Sequence, residues 1–400
     1  MKTFFLTALV LLAALTVSGQ VGISNDGSIP DNSAMLDIRS SGKGFLPPRM
    51  TRLQRDAIVN PANGLIIICT DCNPEGKLQM FYDTTWYPFT VNRHPVAMQV
   101  NHTGGSVTGD VLYGTYGYFD ADNDPEAGTL FKWYRSQSQA GVNETEISGA
   151  TGMTYILSSA DTGKYIRFAV VPGAVSGLTP GAEVRSGSFT GPVIQFSCGL
   201  SMLTVYHNTS RGVAPENKVT TYGTVGDVPT EYGKCWITKN LGSTRQADAV
   251  SDTADVAAGW YFQFNRKQGY RNTPTGPYPL WTLPVINENS DWTAAFDPCS
   301  IEIGPAWRIV TYTEWYNVAI GMAWSTWQEP WNSMLKLHAA GYLENTYGML
   351  TSRGTEGYYW SSTQASASTA WFLFFNSLSL YFDNNNKSYG FPVRCLREIN

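Results

Sequence analysis

The sequence has little charge: only 15% of its 400 residues are Asp, Glu, Lys or Arg. Acidic residues slightly outnumber basic ones, and the formal net charge is −5 at pH 7. No cluster of Lys or Arg interrupts this balance. Binding to nucleic acid or to an anionic membrane surface depends on such clusters. We therefore expect neither of them among the partners.

The residue patterns of common catalytic sites are also missing. No HExxH motif, P-loop or dinucleotide-binding glycine pattern occurs. Asp122 and Asp124 lie in a turn that lacks the glycine and the distal glutamate of a calcium loop. The remaining candidates are scattered or have no distinguishing context: His94, His102, His207, His338, Glu302, Glu314, Glu344 and Glu356. We predict a protein without enzymatic activity, cofactor or metal.

Only one long apolar run occurs, from Phe4 to Val17, with Lys2 before it. Val17-Ser18-Gly19 offers a cleavage site ahead of Gln20, so the pattern predicts a signal peptide over residues 1–19. A buried N-terminal helix is the alternative. There is no cysteine at the cut and no second run of about 18 apolar residues. We expect a secreted or cell-surface protein that does not insert into the membrane after cleavage.

Aromatic residues, glycine and cysteine are plentiful by contrast. The 38 Gly, 22 Tyr and 13 Trp are typical of extracellular β-rich modules, and the length predicts two to three domains. Six cysteines in an exported chain are disulfide candidates: Cys69, Cys72, Cys198, Cys235, Cys299 and Cys395. Proximity favours a Cys69–Cys72 pair and pairing of the last four among themselves. Zinc is the alternative at Cys69-Thr-Asp-Cys72, but no second ligand pair follows at a suitable spacing.

Residues 20–92 are predicted to form a small β-rich module. Short strand candidates alternate with turns, and Thr51 is placed to cap a short helix that runs through Ala57. Residues 22–86 carry the segments GI, SAMLDI, KGFLPPRMT, QRDAI and PANGLII. This order resembles a leader module of Bacteroidetes surface proteins and is similar to collar or shaft pieces of fibre proteins. The resemblance implies a structural or trimerising role, hence a homo-oligomer; a spacer sheet is the alternative.

Residues 93–194 are predicted to form a β-sandwich. Residues 116–120, 130–135 and 165–171 alternate with period two, and turn-rich stretches separate them. The pattern resembles bacterial immunoglobulin-like repeats. The resemblance implies that Trp133 is the core tryptophan.

Residues 195–400 carry the most specific motifs. Thr311 and Glu314 form the sequence pattern of a capping box, which predicts a helix start, and a second helix is predicted over Pro330–Ala340. Strands are predicted over 357–363, 370–375 and 391–395. The ordered motifs are Trp236…Asn240-Leu241-Gly242, Asp297-Pro298-Cys299, Trp307-Arg308…Thr311…Glu314-Trp315, Tyr359-Trp360-Ser361-Ser362-Thr363 and Val393-Arg394-Cys395.

These motifs resemble the Fibrobacter succinogenes major paralogous domain family, which is similar to C-type-lectin-like folds. Ser300 and Ile309-Val310 depart from the family pattern. The resemblance implies Cys299–Cys395 and Cys198–Cys235 disulfides and core positions for Trp236, Trp307 and Trp360. Calcium-dependent sugar binding is not expected, because Glu329-Pro330-Trp331-Asn332 only imitates one lectin motif and Trp-Asn-Asp is absent. The predicted fold class is multidomain: a β-rich module, an immunoglobulin-like β-sandwich and an α+β C-type-lectin-like domain.

A ligand surface is expected on two stretches rich in Tyr, Asn, Ser and Gly, Leu343–Tyr358 and Asn376–Tyr389, which are predicted as loops. The candidates are Tyr347, Tyr358, Tyr381, Asp383, Asn384 and Asn385. Ordinary solvated loops are the alternative. The predicted function is adhesion or binding of an extracellular glycan or protein through these loops. The competing hypothesis is a structural component of an appendage or matrix without a specific ligand.

Overall fold

The computed structural model describes residues 19–72, 78–89, 92–281 and 285–399. The predicted signal peptide, apart from Gly19, lies outside the described residues. The chain divides into two compact units, unit 1 up to Asn92 and unit 2 from Arg93. Both consist mainly of strands with a few short helices, as expected from the composition. Within the described ranges no helix is long and apolar enough to cross a membrane.

Unit 1 contains two small sheets. One pairs β1 (Val21–Ser24) with β2 (Leu36–Arg39) in parallel; the other has the order β3 (Arg49–Met50), β4 (Ile66–Cys69), β5 (Leu78–Tyr82) and β6 (Thr85–Pro88). The helix α1 (Arg52–Asp56) begins after Thr51, whose capping box with Gln54 confirms the predicted helix start.

The first part of unit 2 consists of two antiparallel sheets that enclose an aromatic core. The strands are β7 (Val96–Thr103), β8 (Val111–Phe119), β9 (Leu130–Ser136), β10 (Thr145–Glu146), β11 (Thr154–Ile156), β12 (Tyr165–Val171) and β13 (Val184–Arg185). One sheet has the order β11-β8-β7 and the other β10-β9-β12-β13. Trp133 is fully buried, lies 4.9 Å from the Phe168 ring, and its indole N–H donates to the carbonyl of Gly152 at 2.9 Å.

The rest of unit 2 combines several sheets with short helices. The helices are α2 (Asp255–Ala258), α3 (Pro298–Glu302), α4 (Tyr312–Gly321) and α5 (Gln328–Asn332). The strands are β14 (Leu203–His207), β15 (Lys218–Tyr222), β16 (Thr224–Val225), β17 (Lys234–Ile237), β18 (Tyr261–Phe262), β19 (Gly269–Thr273), β20 (Gly276–Tyr278), β21 (Arg308–Ile309), β22 (Tyr342–Leu343), β23 (Leu350–Thr351), β24 (Glu356–Gln364), β25 (Thr369–Asn376), β26 (Leu380–Asn386), β27 (Phe391–Pro392) and β28 (Cys395–Glu398). Antiparallel sheets have the orders β16-β17-β28-β21, β20-β19-β18-β27 and β24-β25-β26, and β14 pairs with β15 and β22 with β23.

The motif tryptophans pack inside this region. Trp236 and Trp360 are fully buried and Trp307 is 2% exposed, so their predicted core role is confirmed. The indole N–H of Trp360 donates to the carbonyl of Phe262 at 2.8 Å, which joins β24 to β18. Large buried rings of this kind contribute most of the hydrophobic stabilisation of a β-rich core.

Three disulfides are present: Cys69–Cys72, Cys198–Cys235 and Cys299–Cys395. The last one joins α3 to the final strand, β28. The two pairs in unit 2 are those that the family resemblance implies. Zinc binding by the first pair is not possible in this state, because the Cys69 and Cys72 sulfurs are bonded to each other.

A capping box opens α4 as predicted. The Thr311 side chain accepts from the backbone N–H of Glu314, and the Glu314 carboxylate accepts from the N–H of Thr311. Burial alone would raise the pKa of Glu314, but hydrogen bonds from Arg308 and Lys234 lower it to about 2. The helix start is therefore tied to β21 and β17.

The prediction of a second helix over Pro330–Ala340 is wrong. The helix α5 ends at Asn332, and Ser333 is extended. The chain then turns so that the carbonyl of Leu335 accepts a hydrogen bond from buried Arg394 at 2.8 Å. A helix that continued past Asn332 would direct this carbonyl along its own axis, away from Arg394.

The single strand predicted over Phe391–Cys395 is also wrong, because this stretch supplies β27 and β28 to two different sheets. Between them, the Arg394 guanidinium turns inward to the carbonyls of Ile237 and Leu335 and to the amide oxygen of Asn240.

Candidate functional site

The loop predicted over Asn376–Tyr389 is mostly a strand, β26, at the edge of the β24-β25-β26 sheet. Its side chains alternate: Leu380 and Phe382 pack against a buried core, while the Tyr381 ring contacts Phe374 at 4.5 Å. The run of asparagines from 384 to 386 resembles a loop in composition, but its backbone pairs with β25. Tyr381, Asp383, Asn384 and Asn385 therefore lie on a strand.

The second predicted stretch, Leu343–Tyr358, is only partly a loop. Tyr347 is 73% exposed in the turn between β22 and β23, and the Glu344 carboxylate fixes this turn by accepting from the N–H of Thr346 at 2.8 Å. Tyr358 instead lies on β24, and its ring packs 4.6 Å from Tyr342 and 5.1 Å from Phe374. Burial raises the pKa of the Tyr358 hydroxyl, which donates to Glu356.

The six predicted ligand residues consequently do not share one surface. Tyr358 and Tyr381 both contact Phe374 and so lie on the same face of the sheet. Asn384 is two residues after Phe382 on β26, and because side chains alternate along a strand it projects from the opposite face. Tyr381, Asp383 and Asn384 are exposed and Asn385 is half-buried.

Two of the four histidines, His102 and His207, sit in separate buried networks, whereas His94 is exposed and the ring nitrogens of buried His338 have no hydrogen-bond partner among the described residues. His102 contacts the hydroxyls of Ser186 and Thr190 in the sandwich core, and burial lowers its pKa to about 4. Burial also lowers the pKa of His207, whose ring lies 2.5 Å from the Glu302 carboxylate and 3.0 Å from the Tyr222 hydroxyl.

Unit 1 has an unusually exposed apolar surface. Its buried hydrophobic core consists of Ile67, Cys69 and Cys72, packed against Met50 and Trp86. Large apolar side chains elsewhere in the unit face solvent: Ile29 (81% exposed), Met35 (69%), Phe45 (62%), Leu46 (61%), Leu53 (82%) and Val59 (84%). Contiguous exposed apolar surface occurs at interfaces with other proteins, at membranes and in ligand grooves.

A groove runs along the seam between the sandwich and the rest of unit 2. We call it the seam groove. Its volume is about 540 Å³, and its walls come from β8 and β11 on one side and from β14, β15 and the turn Thr209–Arg211 on the other. Sequence reasoning missed it, because its two walls, residues 103–154 and 206–219, are separated by about fifty residues of chain and no motif marks either wall.

Two family models match parts of the chain. A phage tail like trimerisation region matches residues 22–104, which covers most of unit 1 and continues into β7. A domain of unknown function, DUF8237, matches residues 324–396, from the end of α4 to the start of β28. No curated protein matches the chain.

Proposed function

We propose that the chain is a homo-oligomeric, non-catalytic surface protein in which unit 1 assembles, in threes, and unit 2 is displayed. The proposal rests on unit 1, which has a small buried core and many large apolar side chains that are exposed. A unit this small gains little stability from its own core, and burial of these side chains against two further copies would supply the missing apolar contacts. The match to a trimerisation region supports the number three.

We further propose that residues 93–194 form an immunoglobulin-like domain and residues 195–400 a C-type-lectin-like domain of the Fibrobacter paralogous family. The two sheets around Trp133 support the first assignment. The Cys299–Cys395 bridge and the buried motif tryptophans support the second. Three disulfides are in keeping with export to an oxidising compartment at the cell surface or beyond it.

Light scattering coupled to size exclusion tests the assembly. We expect residues 20–400 to elute with the mass of three chains. The double variants Phe45→Ser with Leu46→Ser and Leu53→Ser with Val59→Ser each remove two exposed apolar side chains, and at least one of them should release monomers. Leu378→Ser is the matched control, because Leu378 is 85% exposed in unit 2 and its loss should leave the mass unchanged. A monomeric wild-type protein would refute the proposal.

The proposed role of unit 2 is recognition of an extracellular glycan or protein. Exposed Tyr347 on a fixed turn and the exposed polar residues of β26 support this role, since Tyr and Asn are typical of adaptable recognition surfaces. Glycan and matrix-protein arrays should show binding that Tyr347→Ala or Asn384→Ala weakens. If the wild-type protein binds nothing on either array, a purely structural role is favoured.

A further inference from the structure

Arg211 is held rigidly at the wall of the seam groove. Its guanidinium lies 3.6 Å from the centroid of the Tyr113 ring, and its Nη1 lies 3.5 Å from a Glu302 oxygen. The side chain is only 11% exposed, and Glu302 is itself fully buried against His207. A cation that is stacked and paired in this way loses little conformational entropy when it binds a ligand.

Most of the hydrogen-bonding capacity of Arg211 is unused. A guanidinium has five N–H donors, and among the described residues the Arg211 side chain makes one hydrogen bond, the long one to Glu302. Among the described residues its remaining donors are not buried without a partner, so they are accessible, and Arg211 lines the groove. This geometry fits a bidentate contact with an incoming carboxylate.

The charge of the groove favours an anion. Arg211 and Lys218 line it, and among the described residues no carboxylate does. The Lys218 ammonium is already bonded to the Gly242 carbonyl and to Glu216, so Arg211 is the cation available to a ligand. The acids that touch these cations, Glu302 and Glu216, lie outside the lining. Burial lowers the pKa of His207, so this lining residue remains neutral near pH 7 and adds no charge.

The uncharged lining favours a ligand rich in hydroxyl groups. Asn208, Asn217 and Ser210 offer amide and hydroxyl groups, and the half-buried Tyr206 offers a ring with a hydroxyl that has no protein partner among the described residues. Amides and hydroxyls exchange hydrogen bonds with sugar hydroxyls, while an aromatic ring packs against the C–H face of a pyranose.

We propose that the seam groove binds an acidic oligosaccharide, with Arg211 pairing with a carboxylate of a uronic acid unit. The inference rests on the proposed recognition role of unit 2 and adds the seam groove as a second binding surface, separate from Tyr347 and β26. The site requires both walls, so it exists only where the sandwich and the following region pack together.

Calorimetric titration of residues 20–400 tests the inference. The probes are an oligogalacturonate hexamer and its fully methyl-esterified form, which keeps the sugars and removes the charge. We expect the acid to bind at least tenfold more tightly than the ester. Arg211→Gln should weaken binding of the acid at least tenfold, as expected for loss of a charged hydrogen-bonding pair.

Arg185→Gln is the matched control. Arg185 also stacks on a tyrosine, 3.9 Å from the Tyr134 ring, and pairs with Glu144 and Glu183, but it does not line the groove. Its loss should change the affinity less than twofold. If Arg211→Gln does not fold, Tyr206→Ala, which leaves the Arg211–Glu302 pair intact, should weaken binding severalfold in its place.

The outcomes separate this inference from the proposed recognition role. Equal binding of acid and ester, or acid binding that Arg211→Gln and Tyr206→Ala leave unchanged, would overturn the groove assignment. Loss of hexamer binding in Tyr347→Ala but not in Arg211→Gln would do the same, while the recognition role stands. Tighter Arg211-dependent binding of an acidic peptide than of the hexamer would overturn the saccharide class. Failure of the wild-type protein to bind the hexamer, with other ligands bound on the arrays, would refute the groove inference alone.

Discussion

Removal of the Cys299–Cys395 disulfide should destabilise unit 2 more than removal of any other disulfide. The two cysteines are 96 residues apart in sequence, and loop-closure entropy alone assigns about 4.7 kcal/mol to a bridge of this span. The same relation assigns about 3.9 kcal/mol to Cys198–Cys235, which are 37 residues apart. Both sulfurs of the longer bridge are fully buried, so the double alanine variant also leaves a small cavity.

Urea denaturation followed by tryptophan fluorescence measures the effect, because Trp86 is the only tryptophan of unit 1 and the signal reports on unit 2. All variants are compared at one protein concentration, since assembly stabilises the folded state by mass action. We expect C299A/C395A to lower the free energy of unfolding by about 4–5 kcal/mol and C198A/C235A by slightly less. A loss below about 1 kcal/mol for C299A/C395A would refute the reasoning that this bridge constrains the unfolded chain.

Three further changes should alter stability in defined directions. Arg394→Met should cost roughly 3–5 kcal/mol in the same urea assay, because it leaves the buried carbonyls of Ile237 and Leu335 without their donor; a cost under about 1 kcal/mol would contradict the assigned contacts. Burial lowers the pKa of His338 to about 3 in the folded chain. Between pH 6.5 and 3 this histidine is therefore protonated in the unfolded chain but neutral in the folded chain, so the free energy of unfolding falls as the pH falls through this window. His338→Leu should flatten that dependence in thermal unfolding curves, and an unchanged slope would exclude His338 as its source. The ionised Glu314 stabilises the wild-type protein at neutral pH, and this contribution is lost as the pH falls from 4.5 towards 2. Glu314→Gln should lack this contribution at every pH, so its stability should depend less on pH in this range. Identical acid unfolding of both proteins would argue against the Arg308–Glu314 pair.

Local signals in the sequence predicted local structure well. The capping boxes at Thr51 and Thr311 depend on residues three apart, and both helices begin where these patterns place them. The core positions of the motif tryptophans are implied by the family resemblance, and all three side chains are buried.

The wrong predictions lie where residues distant in sequence determine the local backbone conformation. The segment after Asn332 has helical composition, but Arg394, 59 residues further on, takes the carbonyl of Leu335. The asparagines of β26 resemble a loop until their pairing with β25 is known. Tertiary contacts outweighed local propensity at both places.

The seam groove shows the same limit for the functional site. Arg211 is 91 residues from Glu302 in sequence, and Tyr113 belongs to the opposite wall. No spacing pattern connects these three residues, so only the folded chain brings them together.

The mass of residues 20–400 in native mass spectrometry tests the central claim most directly. Spraying residues 20–400 at micromolar concentration should give a dominant species of three chains with all cysteines oxidised, and dilution should dissociate it without loss of the disulfides. A single chain at every concentration would contradict the claim that the exposed apolar side chains of unit 1 form an interface between copies.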